Sequence, residues 1–413
     1  MFFGLGHPGR QMLGMSAKSK LMNSASLSLD FMTPGVLDPR ITFTRASTAT
    51  FFDSAGMMQT AATNAPRWDY DPSTLQLKGL LLEEARTNST LQSGNLGIAP
   101  WTPAAITVAL PVVTSNQVVA PDGTMSGARI VYPEVIGAGT VSYVRQPITP
   151  AAAVYAFSMY LRGAIGGEQL YIMCVDGGQQ YNRQAVTLTT SWQRYVMVTN
   201  TLLNTSINFG VGVDLRDAGQ TTKPAQTIYA WGVQLEQGTF PTSYIPTTGS
   251  AVTRSADACS VQSADMSPWF APPGGTWFAE FTQNVVRTIS NTSPRVIGIR
   301  NATAITPLWV TGATNVLATY DGSQAQVGNS IIAGAISRSA SNWAPSNGRV
   351  CLNGGAIGAA GTMVTGFGTL ATAGISILGG NPGTVNETMN GYARRVVYWS
   401  RVLTDAEMQS ITA

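Results

Sequence analysis

The sequence predicts an all-β protein, with a small N-terminal β block followed by two β-sandwich domains of the jelly-roll kind. Three observations carry this prediction. Short segments with period-two alternation recur along the chain, turn residues separate them at sandwich spacing, and helical periodicity with caps is nearly absent.

Residues 1–30 are rich in Gly, Met and Ser and lack periodicity, which predicts an extended arm that orders against a partner surface. From 31 to 94 strands alternate with tight turns. Ile41, Phe43 and Arg45 share a face, Asp53-Ser54-Ala55-Gly56 is a hairpin turn and Asp71-Pro72-Ser73 is another. At about 60 residues such a block is marginal alone, so it is expected to pack on a neighbour or a second copy.

Residues 95–250 form the first predicted sandwich, with strands over Val141 to Gln146, Val154 to Arg162, Gln169 to Val175, Trp192 to Val198, Ile207 to Val213 and Thr227 to Leu235. In the second of these, Tyr155, Phe157, Met159 and Leu161 face one way and Ala156, Ser158 and Tyr160 the other. The Pro- and Gly-rich stretch 251–275 reads as a linker. A second sandwich over 276–413 follows, with strands including Arg295 to Arg300, Val316 to Tyr320, Arg349 to Leu352 and Gly391 to Trp399. A short terminal helix is predicted from Thr404, with Glu407 three residues on as its capping-box partner.

Composition excludes several classes. Only 11% of residues are charged, against roughly 25% in an average soluble protein. The net charge is +3 with no Lys/Arg run, so nucleic acid is not an expected partner. Cys174, Cys259 and Cys351 are far apart and odd in number, which suggests neither a zinc site nor a disulfide framework. The uncharged stretch Val350 to Asn386 holds ten Gly and no continuous apolar run, so membrane insertion is not expected either. Gly4, Gly6 and the His7-Pro8-Gly9 turn interrupt the apolar start, and Lys18 and Lys20 follow it, unlike a signal peptide.

Three separated blocks resemble a signature of bacteriophage head-spike and fibre proteins. They are Arg40-Ile41-Thr42-Phe43-Thr44-Arg45-Ala46-Ser47-Thr48-Ala49-Thr50, then Pro66-Arg67-Trp68-Asp69-Tyr70-Asp71-Pro72, then Gly79-Leu80-Leu81-Leu82-Glu83-Glu84-Ala85-Arg86-Thr87-Asn88. Residues 95–250, with Ser191-Trp192-Gln193-Arg194-Tyr195 and Trp231-Gly232-Val233-Gln234-Leu235-Glu236, resemble a jelly-roll, carbohydrate-binding-module-like domain. The C-terminal region, with Val350-Cys351-Leu352-Asn353-Gly354-Gly355 and Asn390-Gly391-Tyr392-Ala393-Arg394-Arg395, is similar to laminin-G or concanavalin-like lectin domains. These resemblances imply a structural protein on the exterior of a phage particle. The arm and block would attach to other virion proteins, and the sandwiches would bind host-surface polysaccharide. A homo-oligomer is expected, with a trimer favoured.

A catalytic role is not expected. The single His lies in the irregular arm, and between Trp277 and Asn386 the only carboxylates are Glu280 and Asp321. In the Glu83-Glu84-Ala85-Arg86 cluster, one carboxylate is expected to pair with Arg86 and the other to be solvated. No cofactor is implied; for a calcium ion the best candidate pair is Asp321 with Asn315. Sugar binding needs aromatic faces with amide and hydroxyl groups around them. Trp192, Trp231, Trp277 and Trp399 sit inside strand patterns and read as core. Trp101, Trp309 and Trp343 lie near loops among polar neighbours and are the candidate sugar contacts. Two alternatives remain: a purely structural decoration protein, and a polysaccharide-degrading enzyme that would depend on Glu280.

Overall fold

A computed structural model describes residues 16–175, 181–202, 206–216, 221–267, 269–270, 274–285, 294–299, 305–311, 316–320, 324–344, 347–358, 360–361, 374–379 and 388–413. The described chain is nearly all β, with two short helices, α1 (Ala17–Asn23) and α2 (Asp405–Thr412). It divides into two compact units. One comprises residues 42–259 and 388–392, the other 1–41, 260–387 and 393–413.

The first unit is built on a ten-stranded sandwich. Its strands are β1 (Thr102–Ile106), β2 (Val112–Val118), β3 (Gly127–Tyr132), β4 (Val141–Ile148), β5 (Tyr155–Gly163), β6 (Gln169–Val175), β7 (Tyr181–Thr187), β8 (Gln193–Val198), β9 (Ile207–Asp214) and β10 (Gln226–Gln237). One sheet runs β8-β5-β10-β3-β2 and the other β7-β6-β9-β4-β1, with the recorded pairings antiparallel. Alternation explains the layering. Tyr155, Phe157, Met159 and Leu161 of β5 meet Leu170, Ile172 and Cys174 of β6 and Phe209, Val211 and Val213 of β9 in one dry core. Phe157 and Phe209 touch with ring centroids 5.5 Å apart. Each such side chain contributes about 1.5–3 kcal/mol through removal from water.

The opposite face of β5 and β10 is also buried. Tyr160, Trp231 and Tyr244 form a second aromatic cluster with Met58, and Phe52 packs against it. Met58 and Phe52 come from the hairpin of Ala49–Phe52 with Met58–Ala61. The Asp53 turn forms as predicted: its Oδ1 accepts the Ala55 and Met57 N–H groups, and Gly56 takes φ +74°. Asp71 accepts the Ser73 and Thr74 N–H groups in the turn between Trp68–Tyr70 and Leu77–Leu82.

The second unit has one sheet containing Arg349–Leu352, Ile336–Trp343, Gly275–Gln283 and Gly391–Trp399. Leu27–Asp30 pairs antiparallel with residues 395–398 of the last of these. A second sheet contains Ile375–Ile377, Arg295–Ile299, Ile305–Val310, Val316–Tyr320 and Gln324–Ser330. Trp269, Phe270, Trp277, Trp343 and Tyr398 pack edge and face around Gly275, where a Cβ would fall within 2.6 Å of the Tyr398 ring. Thr404 and Glu407 form the predicted capping box of α2.

Two expected boundaries are corrected. The arm was expected to order on a partner, yet residues 16–30 order on this chain. Ser16 caps α1, the Trp399 indole donates to the Leu21 carbonyl at 3.0 Å, and Leu27 and Leu29 are buried in the strand pairing. The stretch 251–275 is not a linker. It holds the strands Val252–Arg254 and Ala258–Val261, with Arg254 and Cys259 fully or almost fully buried.

Candidate functional site

The three sequence blocks converge on a buried ion cluster in the first unit. Arg45 comes from the first block, Arg67 from the second and Glu83 from the third, and Arg254 and Asp257 close the cluster. Arg67 bonds Asp257 at 2.6 Å and Glu83 at 2.9 Å, and Arg45 bonds Asp257 at 3.0 Å. Arg254 lies 3.6 Å from Glu83. The Ser243 N–H and hydroxyl both donate to Glu83, at 2.7 and 2.6 Å. Burial alone would raise the Glu83 carboxyl, but Arg254, Arg67 and Ser243 outweigh it and hold the carboxyl at about 2. The expectation that one carboxylate of the Glu83-Glu84 pair is solvated is therefore corrected: Glu84 pairs with Arg86, and Glu83 is clamped in the interior. With no exposed charge, the cluster is a structural clasp.

A small cleft of about 70 Å³ beside it is lined by Ser47, Thr48, Thr50, Thr60, Tyr244 and Arg254. The Thr50 hydroxyl donates to the Tyr244 carbonyl and the Ser47 hydroxyl to the Thr48 carbonyl, so those groups are engaged in holding the fold.

A different surface has the makings of a site. The hairpin carrying Phe52 and Met58 covers one outer face of the sandwich; the other outer face belongs to β7-β6-β9-β4-β1. Strand β9 reads Ile207-Asn208-Phe209-Gly210-Val211-Gly212-Val213-Asp214, with its branched and aromatic residues inward and Asn208, Gly210, Gly212 and Asp214 outward. Two outward glycines leave the middle of the central strand without side chains. Register then places Tyr143 of β4 opposite Gly212 on one side and Tyr171 of β6 opposite it on the other. On the next rung Arg145 and Met173 flank Gly210, and Arg183 of β7 pairs with Met173.

We call this strip the trough: Gly210 and Gly212 are themselves buried along it, and Val141, Tyr143 and Met173 form a cluster against which Tyr171 and Val175 pack. Val141 and Met173 are fully buried and Tyr143 is 8% exposed, whereas Tyr171, Val175, Arg145 and Asn208 are half-buried. The Arg145 guanidinium lies 5.9 Å from the Tyr143 ring centre and that of Arg183 4.8 Å from the Tyr171 ring centre. Asp214 closes one end, accepting the Arg216 Nε and Nη2 at 2.9 and 2.8 Å, with Arg183 at 3.3 Å. The glycines are required. A Cβ at Gly212 would fall 2.3 Å from the Tyr143 Cβ, and one at Gly210 would fall 2.2 Å from the Val144 carbonyl oxygen.

The candidate tryptophans do not converge. Trp101 is 4% exposed, belongs to the sandwich core and donates its indole N–H to the Leu91 carbonyl at 3.0 Å. Trp343 is fully buried and stacks on Phe270 at 5.4 Å. Neither ring offers a face to a ligand, which corrects both expectations. Trp309 lies on a strand opposite Arg295 and Ala318; its side chain is outside the described residues. Asp321 and Asn315 also lie outside them. Among the described residues no three His, Cys, Asp or Glu side chains cluster as metal ligands. Trp231, Trp277 and Trp399 are core as expected, and Trp192 is partly buried, its indole bonded to the Val119 carbonyl. Glu280 is held by Arg394 at 2.9 Å and Arg338 at 3.4 Å. The sequence carried one signal of the trough, the alternate glycines of β9.

No family model matches the chain, and no curated protein matches it. Among solved structures it is similar to a family 11 carbohydrate-binding module from Clostridium thermocellum in complex with a beta-1,3-1,4-mixed-linked tetrasaccharide. That match has 10% identity over 38% of this chain and 99% of the other, with a TM-score of 0.27. It is also similar to the enzymatically active domain of bacteriophage CBA120 tailspike protein 4, at 14% identity over 36% and 21% of the two chains, TM-score 0.25. A third match is Trypanosoma rangeli sialidase in complex with sialic acid, at 10% identity over 69% and 60%, TM-score 0.30.

Proposed function

We propose that this chain is a non-catalytic glycan-binding protein on the exterior of a phage particle, a head spike or fibre, and that the trough of the first unit grips host-surface polysaccharide. The half-buried Tyr171, set opposite Gly212 on the outer face, carries the reading. A pyranose needs an apolar face to lie against and polar groups at its edges. The trough offers both: the half-buried Tyr171 for the face, and Asn208 and Arg145, also half-buried, for the edges. Binding without chemistry fits its acid inventory. Paired-carboxylate hydrolysis needs two carboxyl groups across one sugar. The described residues of this face bring one, Asp214, already engaged by two arginines.

The particle assignment rests on the three-block resemblance, whose Arg45, Arg67 and Glu83 build the ion cluster with Arg254 and Asp257. Display of many copies on a particle would multiply weak contacts by about 10²–10⁴.

The test is calorimetric titration of the full chain with polysaccharide from host-cell surfaces. Saturable heat that is lost in Tyr171→Ala and kept in Trp101→Phe supports the reading. Binding that survives both Tyr171→Ala and Tyr143→Phe places the site elsewhere, and release of reducing ends during the titration overturns the non-catalytic assignment.

A further inference from the structure

The charges of the trough identify the chemistry of the glycan. Resting on the reading of this face as a glycan site, we infer that the ligand is an anionic glycan, one carrying carboxylate or sulfate groups on its rings, and that Arg145 receives the anion. Cross-strand neighbours normally satisfy a charge on a sheet. Arg145 has Gly210 opposite it on one side and Thr102 on the other, and neither supplies a carboxylate. Among the described residues no carboxylate pairs with Arg145, and its Nε is sealed from solvent with no acceptor.

The surrounding geometry favours an anion at this point. Arg145 lies 5.9 Å from the Tyr143 ring centre, one rung from Gly212, so a sugar against Tyr171 would present a ring substituent to the guanidinium. Gly210, opposite it, adds no side chain that could pair with the guanidinium. A planar guanidinium matches the oxygens of carboxylate or sulfate with two parallel hydrogen bonds. The balance of the face agrees: Arg145, Arg183 and Arg216 stand against Asp214 alone among its described residues. Arg183 and Arg216 share that carboxylate, which leaves Arg145 as the cation available to a ligand.

The experiment compares matched pairs on the full chain: oligogalacturonate with oligogalactose of equal length, and dextran sulfate with dextran, each titrated at low and high salt. The charged member of at least one pair should bind 10-fold or more tightly, and the advantage should shrink with salt. Arg145→Gln should abolish that preference with an unchanged melting temperature, and Arg145→Lys should restore part of it. Preference in the first pair alone assigns carboxylate as the anion, and in the second alone sulfate. Equal affinity within both pairs, or a preference that survives Arg145→Gln, overturns the inference and leaves the trough a site for neutral sugar. Binding that ignores Tyr171→Ala overturns the reading of the face itself, and with it this inference. Failure of all four probes to bind overturns the inference as well.

Discussion

Tyr143 and Tyr171 stand on different strands yet oppose the same residue, Gly212, so two aromatic side chains reach one rung with no side chain between them. The spacing depends on a backbone atom count. Any residue but glycine at 212 would place a Cβ 2.3 Å from the Tyr143 Cβ.

Gly212→Ala is therefore expected to destabilise the first unit by about 1–3 kcal/mol through overpacking, and to weaken glycan binding. Denaturant melts and titrations on the same sample check both effects. A stable variant with full affinity would show that the trough does not need the open strip.

The two tyrosines should separate. Tyr171 is half-buried and Tyr143 is 8% exposed, so Tyr171→Ala should act mainly on binding, by roughly tenfold, as expected for the loss of about 1.4 kcal/mol of stacking. Tyr143→Ala should act mainly on stability, by about 3–5 kcal/mol as for a large aromatic truncation. Parallel melts and titrations of the two variants give the split.

The ion cluster predicts an acid response. The Glu83 carboxyl is held at about 2, below its ordinary 4.5, so its contribution is fully present above pH 4.5 and is lost as pH falls toward 2. Glu83→Gln should lower the melting temperature near neutrality. The gap from the unaltered protein should close between pH 4.5 and 2. Arg67→Met, which strands Asp257 and Glu83, should cost about 3–5 kcal/mol at neutral pH.

At the other end of the chain, Thr404→Ala removes the N-cap of α2, which accepts the Glu407 N–H. A loss of about 1 kcal/mol is expected, measured by denaturant melts. Glycan affinity should not change.

Cys259 is expected to resist alkylation in the native protein. Burial, with the Asp257 carboxylate nearby, pushes its thiol up to about 12, so almost no thiolate exists at neutral pH. Mass spectrometry before and after denaturation would show labelling of Cys259 only when unfolded.

The sandwich strands that were legible in the sequence are those with a clean apolar face. Gln169–Val175 and Ile207–Asp214 appear close to their predicted limits because their alternate residues enter the core. Gly127–Tyr132 escaped notice although Ala128, Ile130 and Tyr132 alternate into the core, whereas three other strands that escaped it lack this pattern. Val112–Val118 is an edge strand with no buried residue, Thr102–Ile106 is an edge strand carrying Pro103, and Tyr181–Thr187 is a largely polar edge. The trough was illegible for another reason. Its residues come from strands brought together by pairing, and no spacing along the chain says that Tyr143 and Tyr171 share a rung. Trp101 and Trp343 misled because polar neighbours suggested exposure. In Trp101 a backbone carbonyl satisfies the indole, so a ring beside a loop can still be core.

The pairing of Leu27–Asp30 with residues 395–398 has a consequence for synthesis. The indole of Trp399 meets Leu21 across 378 residues of chain, so α1 and the strand after it emerge from the ribosome long before their partners exist. At about 5–20 residues per second, the wait is roughly 20–75 s. Through that interval Leu27 and Leu29 have no strand to cover them, while residues 42–259 emerge as an uninterrupted segment. The first unit can form during translation apart from its last few residues, and the second closes only when the final strand and α2 arrive to receive the beginning of the chain.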